Sequence, residues 1–311
     1  MMNSNLGDLD AAENYYGYKN TSDSYEYEEE FTPFGVVIWR PITLITCCFG
    51  LAGNGCVIWL LLFQIKRNCF TPFILNLAVA DFGFLASIVI YFIQEFVDYP
   101  GSILNTIWSS FSHIMYINTH FLMTAISIDR CVAVLFPIWH HCSRPKHLSP
   151  AVCAFLWIFS FLLFVIADIM ELTEVVVYHS LFAHCFLGAA IICLPLITLS
   201  TVVLFIKVCL KLNQRNQGRL LLTILITLLC FLILTFPFCV LVVIYSFSNS
   251  ARFDNQLENW GTWSILFSCL NSSINPVIYF LVGRKKGARS KESMKVILQK
   301  VFREGEATGG S

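Results

Sequence analysis

Apolar residues run along this chain in seven long stretches, at about 37–63, 72–97, 103–136, 150–170, 182–210, 219–246 and 259–282. Short polar connections separate them. A bilayer core about 30 Å thick needs about 20 residues of helix per crossing. The pattern therefore predicts an all-α membrane protein, a bundle of seven transmembrane helices over 36–283. It also divides the rest: a polar, acidic segment at 1–35, a basic amphipathic helix at 284–303, and a short tail at 304–311. In that helix Met294, Ile297, Leu298, Val301 and Phe302 fall at helical spacing among Lys and Arg, a pattern that suits the inner leaflet.

Polar residues inside the apolar stretches carry most of the functional information. The first stretch holds Gly53-Asn54-Gly55, where small residues let helices approach and the amide bonds across. Its helix is expected to begin near Arg40-Pro41, because proline suits a helix start. The second stretch holds Asp81, which at mid-membrane costs about 2.5–3.5 kcal/mol unless it finds partners. The third carries Ser112, Tyr116, Thr119, Met123, Ile126 and Arg130 at spacings of three and four, a face turned to the bundle interior. It ends on Asp129-Arg130, a charged pair tolerated only at water or in protein. Trp157 sits mid-span in the fourth. Pro195 and Pro237 are expected to interrupt the fifth and sixth helices, since proline breaks the backbone ladder. The seventh contains Asn271-Ser272-Ser273-Ile274-Asn275-Pro276-Val277-Ile278-Tyr279, with Asn271, Asn275 and Tyr279 on one face. Asn275 and Asp81 are candidates for one polar cluster.

Composition agrees with the pattern. Of 311 residues, 57% are hydrophobic and 13% charged, with mean hydropathy +0.69; soluble domains carry about 25% charged residues. The net charge is zero, but its distribution is lopsided. Lys66, Arg67, Arg144, Lys146, Lys207, Lys211, Arg215 and Arg219 fall in alternate connections, and the segment after Gly283 is basic. Only Lys19, Arg40 and Arg252 fall on the other side. Basic loops stay cytosolic, so the N-terminus is expected outside and the C-terminus in the cytosol of a plasma-membrane protein. Asn20-Thr21-Ser22 is then a usable glycosylation sequon. There is no apolar leader peptide in the first 35 residues, so the first helix would serve as an uncleaved signal-anchor. The 13 cysteines lie mostly within apolar or cytosolic segments, where disulfides are not expected. No phosphate loop, metal-ligand spacing or nucleophile motif occurs, so no enzyme activity and no catalytic residue are expected. The lack of an internal repeat weighs against a transporter.

Gly53-Asn54, Leu77-Ala78-Val79-Ala80-Asp81, Asp129-Arg130, Trp157, Pro195, Pro237 and Asn275-Pro276-Val277-Ile278-Tyr279, in this order and spacing, resemble the rhodopsin-like (class A) G-protein-coupled receptors over nearly all of 36–303. The run Thr124–Cys131, then Leu135-Phe136-Pro137-Ile138-Trp139, Arg144-Pro145-Lys146-His147 and Lys291-Glu292-Ser293-Met294-Lys295, is similar to the Mas-related receptor family, nearest its Mas and member H types. Asn105 and Thr235 stand where most class A receptors have a disulfide Cys and a switch Trp, and both departures point the same way. Other departures are from the Mas-related pattern itself. Glu171 and Tyr178 occupy the positions of that family's extracellular cysteine pair. Ala167 and Phe182 occupy its two acidic ligand-contact positions. Ser112 stands where amine receptors have an Asp.

The resemblance implies an extracellular ligand, a heterotrimeric G protein of the Gq/11 or Gi class, and arrestin as partners. It assigns the coupling switch to Asp129, Arg130, Pro237, Asn275, Pro276 and Tyr279. It implies a sodium pocket of Asp81, Thr119, Asn271, Ser272 and Asn275, with Na+ as an allosteric ion and no other cofactor or metal. The ligand mouth is expected to include Tyr116, Asp168, Glu171, Phe238, Trp260 and Trp263. The excess of outer acids points to a basic peptide or small cation, drawn in by charge. The rival readings are a receptor-like protein that does not couple and an ion-coupled transporter.

Overall fold

The computed structural model describes residues 32–65, 68–97, 102–145, 147–172, 178–211, 219–247 and 254–283. The expected glycosylation site Asn20 and the amphipathic helix at 284–303 lie outside them. The chain divides into two compact units, Met1–Ile38 and Trp39–Ser311, and the second holds the bundle. Among the described residues there are eight helices: α1 (Thr32–Phe63), α2 (Thr71–Phe96), α3 (Ser102–Leu135), α4 (Pro137–Cys142), α5 (Leu148–Leu172), α6 (Tyr178–Lys211), α7 (Arg219–Phe247) and α8 (Asp254–Gly283). Seven coincide with the predicted crossings to within a few residues.

Six of the seven are long and apolar enough to cross a membrane by hydropathy alone, and α3 is the exception. Its reason is positional. α3 packs against α2, α4, α5, α6 and α7, so its surface meets protein rather than lipid. Asn118, Thr119, His120, Thr124, Ser127 and Arg130 are all buried along it. A helix enclosed by other helices can keep polar side chains, provided they are paired or bundle-facing. The α5 helix is the opposite case. Its exposed Phe155, Ile158, Phe159, Phe161, Leu162, Ile166 and Ile169 form an apolar surface suited to acyl chains.

Three local expectations are corrected. Pro41 lies inside α1 rather than at its start, since the helix begins at Thr32 and about two and a half turns precede the proline. Pro195 and Pro237 sit within α6 and α7 without ending either helix. Loss of one backbone hydrogen bond is tolerated where adjacent turns and neighbouring helices hold the segment. The connection after α3, expected as a plain basic loop, contains the one-and-a-half-turn helix α4, which opens with Pro137 at its first position, where a missing N–H costs nothing.

The seam between α1 and α8 is set by small residues. A Cβ built on Gly50 would lie 2.2 Å from Ser273 Oγ and 2.5 Å from Leu85 Cδ1, and one on Gly53 would lie 3.0 Å from Pro276. This closeness lets the Asn54 amide donate to the Ser272 carbonyl at 2.9 Å and the Ser273 hydroxyl donate to the Thr46 carbonyl at 3.1 Å. Trp157 donates from Nε1 to Asn76 Oδ1 at 2.9 Å, joining α5 to α2. The described cysteines are all free thiols.

Candidate functional site

Three clusters lie along α3. The middle one surrounds Asp81, whose side chain is fully buried. Thr119 of α3 donates its hydroxyl to Oδ1 at 3.2 Å, and Asn275 of α8 donates its amide to Oδ2 at 2.8 Å. The Ser272 hydroxyl faces the same carboxylate without closing a hydrogen bond. Asn271, grouped with these residues in the sequence, is buried but is not among the hydrogen-bond partners of Asp81. It lies one helical turn from Asn275, so the two amides reach different depths. Pro276 follows Asn275 inside α8 and touches the Gly53 position of α1. Three helices thus meet on one carboxylate that, among the described residues, has hydroxyl and amide partners and no basic one.

The arrangement fits a hard monovalent cation. Asp81 supplies a formal charge, and Thr119 and Ser272 supply neutral oxygens. One of these, Ser272 Oγ, is buried and otherwise unsatisfied, and hard cations take oxygen ligands. Asp81, Thr119, Ser272 and Asn275 are the residues that would hold such an ion, which would supply the missing positive charge.

The second cluster lies at the end of α3 that leads into α4. Arg130 is bound to Asp129 through both Nε, at 3.0 Å, and Nη2. Its guanidinium carbon also lies 4.0 Å from the centre of the Phe70 ring, a cation–π contact of about 0.5–2 kcal/mol. Asp129 has a second arginine. Arg144 Nη2 is 2.6 Å from the other carboxylate oxygen, and His140 Nε2 lies 3.7 Å from it. Arg144 also donates to Ser149 Oγ at 2.6 Å, and Ser149 donates to the Cys69 carbonyl at 2.5 Å. The sequence marks Arg144 as a basic loop residue and as part of the family-like run Arg144–His147, without a partner. His140 is four residues back, at helical spacing, but Ser149 and Asp129 are 5 and 15 residues away, and no local spacing announces them. A small apolar cavity lies beside this cluster, walled by Phe70, Ile74, Met123, Ile126, Leu228 and Tyr279 among others. Tyr279 is buried there.

The third cluster surrounds Tyr116. Its ring is packed by Phe84, His120, Phe186 and Phe238, with centroids 5.1, 4.5, 5.4 and 5.3 Å away. The Ser268 hydroxyl lies 3.1 Å from Tyr116 Oη. His113 stacks on Phe164 at 6.0 Å. Tyr116 and Phe238, expected at a ligand mouth, are therefore brought together as parts of an aromatic core, and Tyr116 is 4% exposed. Trp263 is placed elsewhere, against Trp39 of α1 at 3.7 Å. Asp168 is half-buried on α5. The side chains of Glu171 and Trp260 lie outside the described residues. The sequence missed Phe186 and Ser268 in this cluster; the four-residue step from Ser264 to Ser268, continued to Ser272, was the available signal for the latter.

Comparison with known proteins gives a consistent result. Residues 53–279 match the family described as 7 transmembrane receptor (rhodopsin family). The chain is 38% identical over 269 residues to Mas-related G-protein coupled receptor member H of Rattus norvegicus, covering 85% of this chain and 83% of that one. It is 34% identical over 271 residues to the proto-oncogene Mas of Homo sapiens, covering 82% and 80%. It is 34% identical over 277 residues to Mas-related G-protein coupled receptor member X1 of Homo sapiens, covering 85% and 83%.

Proposed function

The chain belongs to the rhodopsin family of seven-transmembrane receptors, in its Mas-related group, and from that premise we propose that its switch is the Asp129–Arg130 pair, released toward a G protein of the Gq/11 or Gi class when an extracellular basic peptide or small cation binds. The protein is a multi-pass receptor of the plasma membrane that couples an extracellular ligand to a heterotrimeric G protein.

The observation that carries the switch is the closed pair itself: Arg130 is 8% exposed, held by Asp129 and capped by Phe70. In this state its guanidinium is spent on the receptor. Release needs the neighbouring end of α7 to move away, and Pro237 gives α7 a weakened point about which to pivot. Asn275, Pro276 and Tyr279 carry the movement through α8, because Asn275 touches Asp81 and Tyr279 walls the cavity next to Phe70. Sodium at Asp81, Thr119, Ser272 and Asn275 would favour the resting packing by holding α2, α3 and α8 together. Arrestin would engage the same opened face.

The basic loops orient the acidic N-terminus outward, where Asn20 would carry a glycan. Outer acids in the sequence, Glu95, Asp98, Asp168, Glu171, Glu174, Asp254 and Glu258, would steer a cationic ligand. Glu95 is already engaged by Arg40 at 2.5 Å, so it is a weaker lure than the others. The ligand's floor would lie on the aromatic core of Tyr116 and Phe238.

The test is G-protein dissociation in cells carrying wild type or Arg130→Ala at equal surface expression, with a panel of basic peptides and small amines. The switch predicts a wild-type signal that Arg130→Ala abolishes. Full coupling by Arg130→Ala contradicts it.

A further inference from the structure

Asp129 is shared between two arginines. Arg130 comes from its own helix and takes one carboxylate oxygen; Arg144 comes from the connection between α4 and α5 and takes the other, at 2.6 Å. Both guanidinium groups are almost enclosed: the Arg144 side chain is 3% exposed and the Arg130 side chain 10%. Like charges this close repel, and shielding by water is weak at such sites. One carboxylate therefore neutralises one unit of charge while two cations compete for it.

The two rivals are not equally tethered. Arg144 is also bonded to Ser149, which is tied to the Cys69 carbonyl. It is further joined to His140 of α4. These ties fix Arg144 from the loop side. Among the described residues Arg130 is held by Asp129 and the Phe70 face, and the face of a ring holds a cation loosely.

We propose that Arg144 is a positioning residue that competes with Arg130 for Asp129 and so weakens the hold on Arg130, setting how readily the receptor engages a G protein. The inference rests on the Asp129–Arg130 switch proposed above. It assigns Arg144 a sign opposite to that of Asp129. Loss of Asp129 frees Arg130, and loss of Arg144 leaves Asp129 wholly to Arg130. Ser149 and Cys69 keep Arg144 in place for this role.

The experiment uses the full chain in lipid nanodiscs, titrated with purified, nucleotide-free Gi or Gq heterotrimer, and reads the half-saturating concentration. Arg144→Gln is expected to raise it about fivefold, the scale of a single coupling contact. Arg144→Lys, which keeps the charge but not the fork, is expected to fall between. Asp129→Asn is expected to lower it. Adding Arg144→Gln to Asp129→Asn is expected to change nothing further, because the contested carboxylate is gone. A midpoint that falls or stays put in Arg144→Gln overturns the proposal. So does an equal rise in the Asp129→Asn background, which would mean that Arg144 acts through the fold or by touching the G protein. Full binding by Arg130→Ala would remove the underlying switch, and the proposal with it, whatever Arg144 does.

Discussion

Two aspartates on this receptor, Asp81 buried and Asp129 half-buried, have opposite surroundings. Asp81 has a hydroxyl and an amide, from Thr119 and Asn275. Asp129 has two guanidinium groups and a nearby imidazole. Both lie where a bare carboxylate would be costly. At Asp81 the polar partners satisfy hydrogen bonds but not charge, which is the ground for proposing a cation there. At Asp129 charge is oversupplied, so the site is a contest between cations. On the proposed reading the same side chain is a receptacle in one place and a latch in the other, and only the neighbours decide which.

Removing a partner tests the difference most strongly. Asn275→Ala leaves a buried carboxylate oxygen without its donor, and is expected to lower stability by about 1–3 kcal/mol, read by thermal melting in nanodiscs without sodium. If it melts like wild type, Asp81 has another partner. Asp81→Asn keeps the shape and removes the charge. It is expected to abolish the effect of sodium on G-protein activation, where wild type should be inhibited about threefold, well within a coupling free energy of about 1 kcal/mol. Signalling that ignores sodium in both proteins would sink the cation site. The smallest effect is expected away from both aspartates. Trp157→Phe deletes the bond to Asn76, worth about 0.6 kcal/mol, and trims a partly buried ring; a melting shift larger than that of Asn275→Ala would reverse the ranking.

Much of this arrangement was legible from the chain. Seven apolar stretches gave the crossings because each helix must satisfy its own backbone in lipid. Asp81, Thr119 and Asn275 stood out because polar groups in such stretches need one another. Hydropathy reads lipid exposure, however, and α3 has little; its assignment as a crossing came from stretch length and from the polar stripe it carries. Gly50 drew no notice because its meaning lies in Ser273 and Leu85, far along the chain. Arg144 was invisible for a different reason. Cytosolic loops are basic in any membrane protein, so one more arginine looks like orientation rather than machinery. Tyr116 falls on the bundle-facing stripe of α3, as the spacing predicts, and its ring meets aromatics of α2, α6 and α7 that no local pattern links to it.

The central claim is that Asp129 restrains Arg130 and that Arg130 does the coupling. The most direct measurement is ligand-independent G-protein dissociation in cells at matched surface expression, comparing wild type, Asp129→Asn, and Asp129→Asn combined with Arg130→Ala. The account predicts a rise of about fivefold in the first variant, and its complete loss in the second. A double variant as active as Asp129→Asn alone would contradict it, because the signal would then not pass through Arg130.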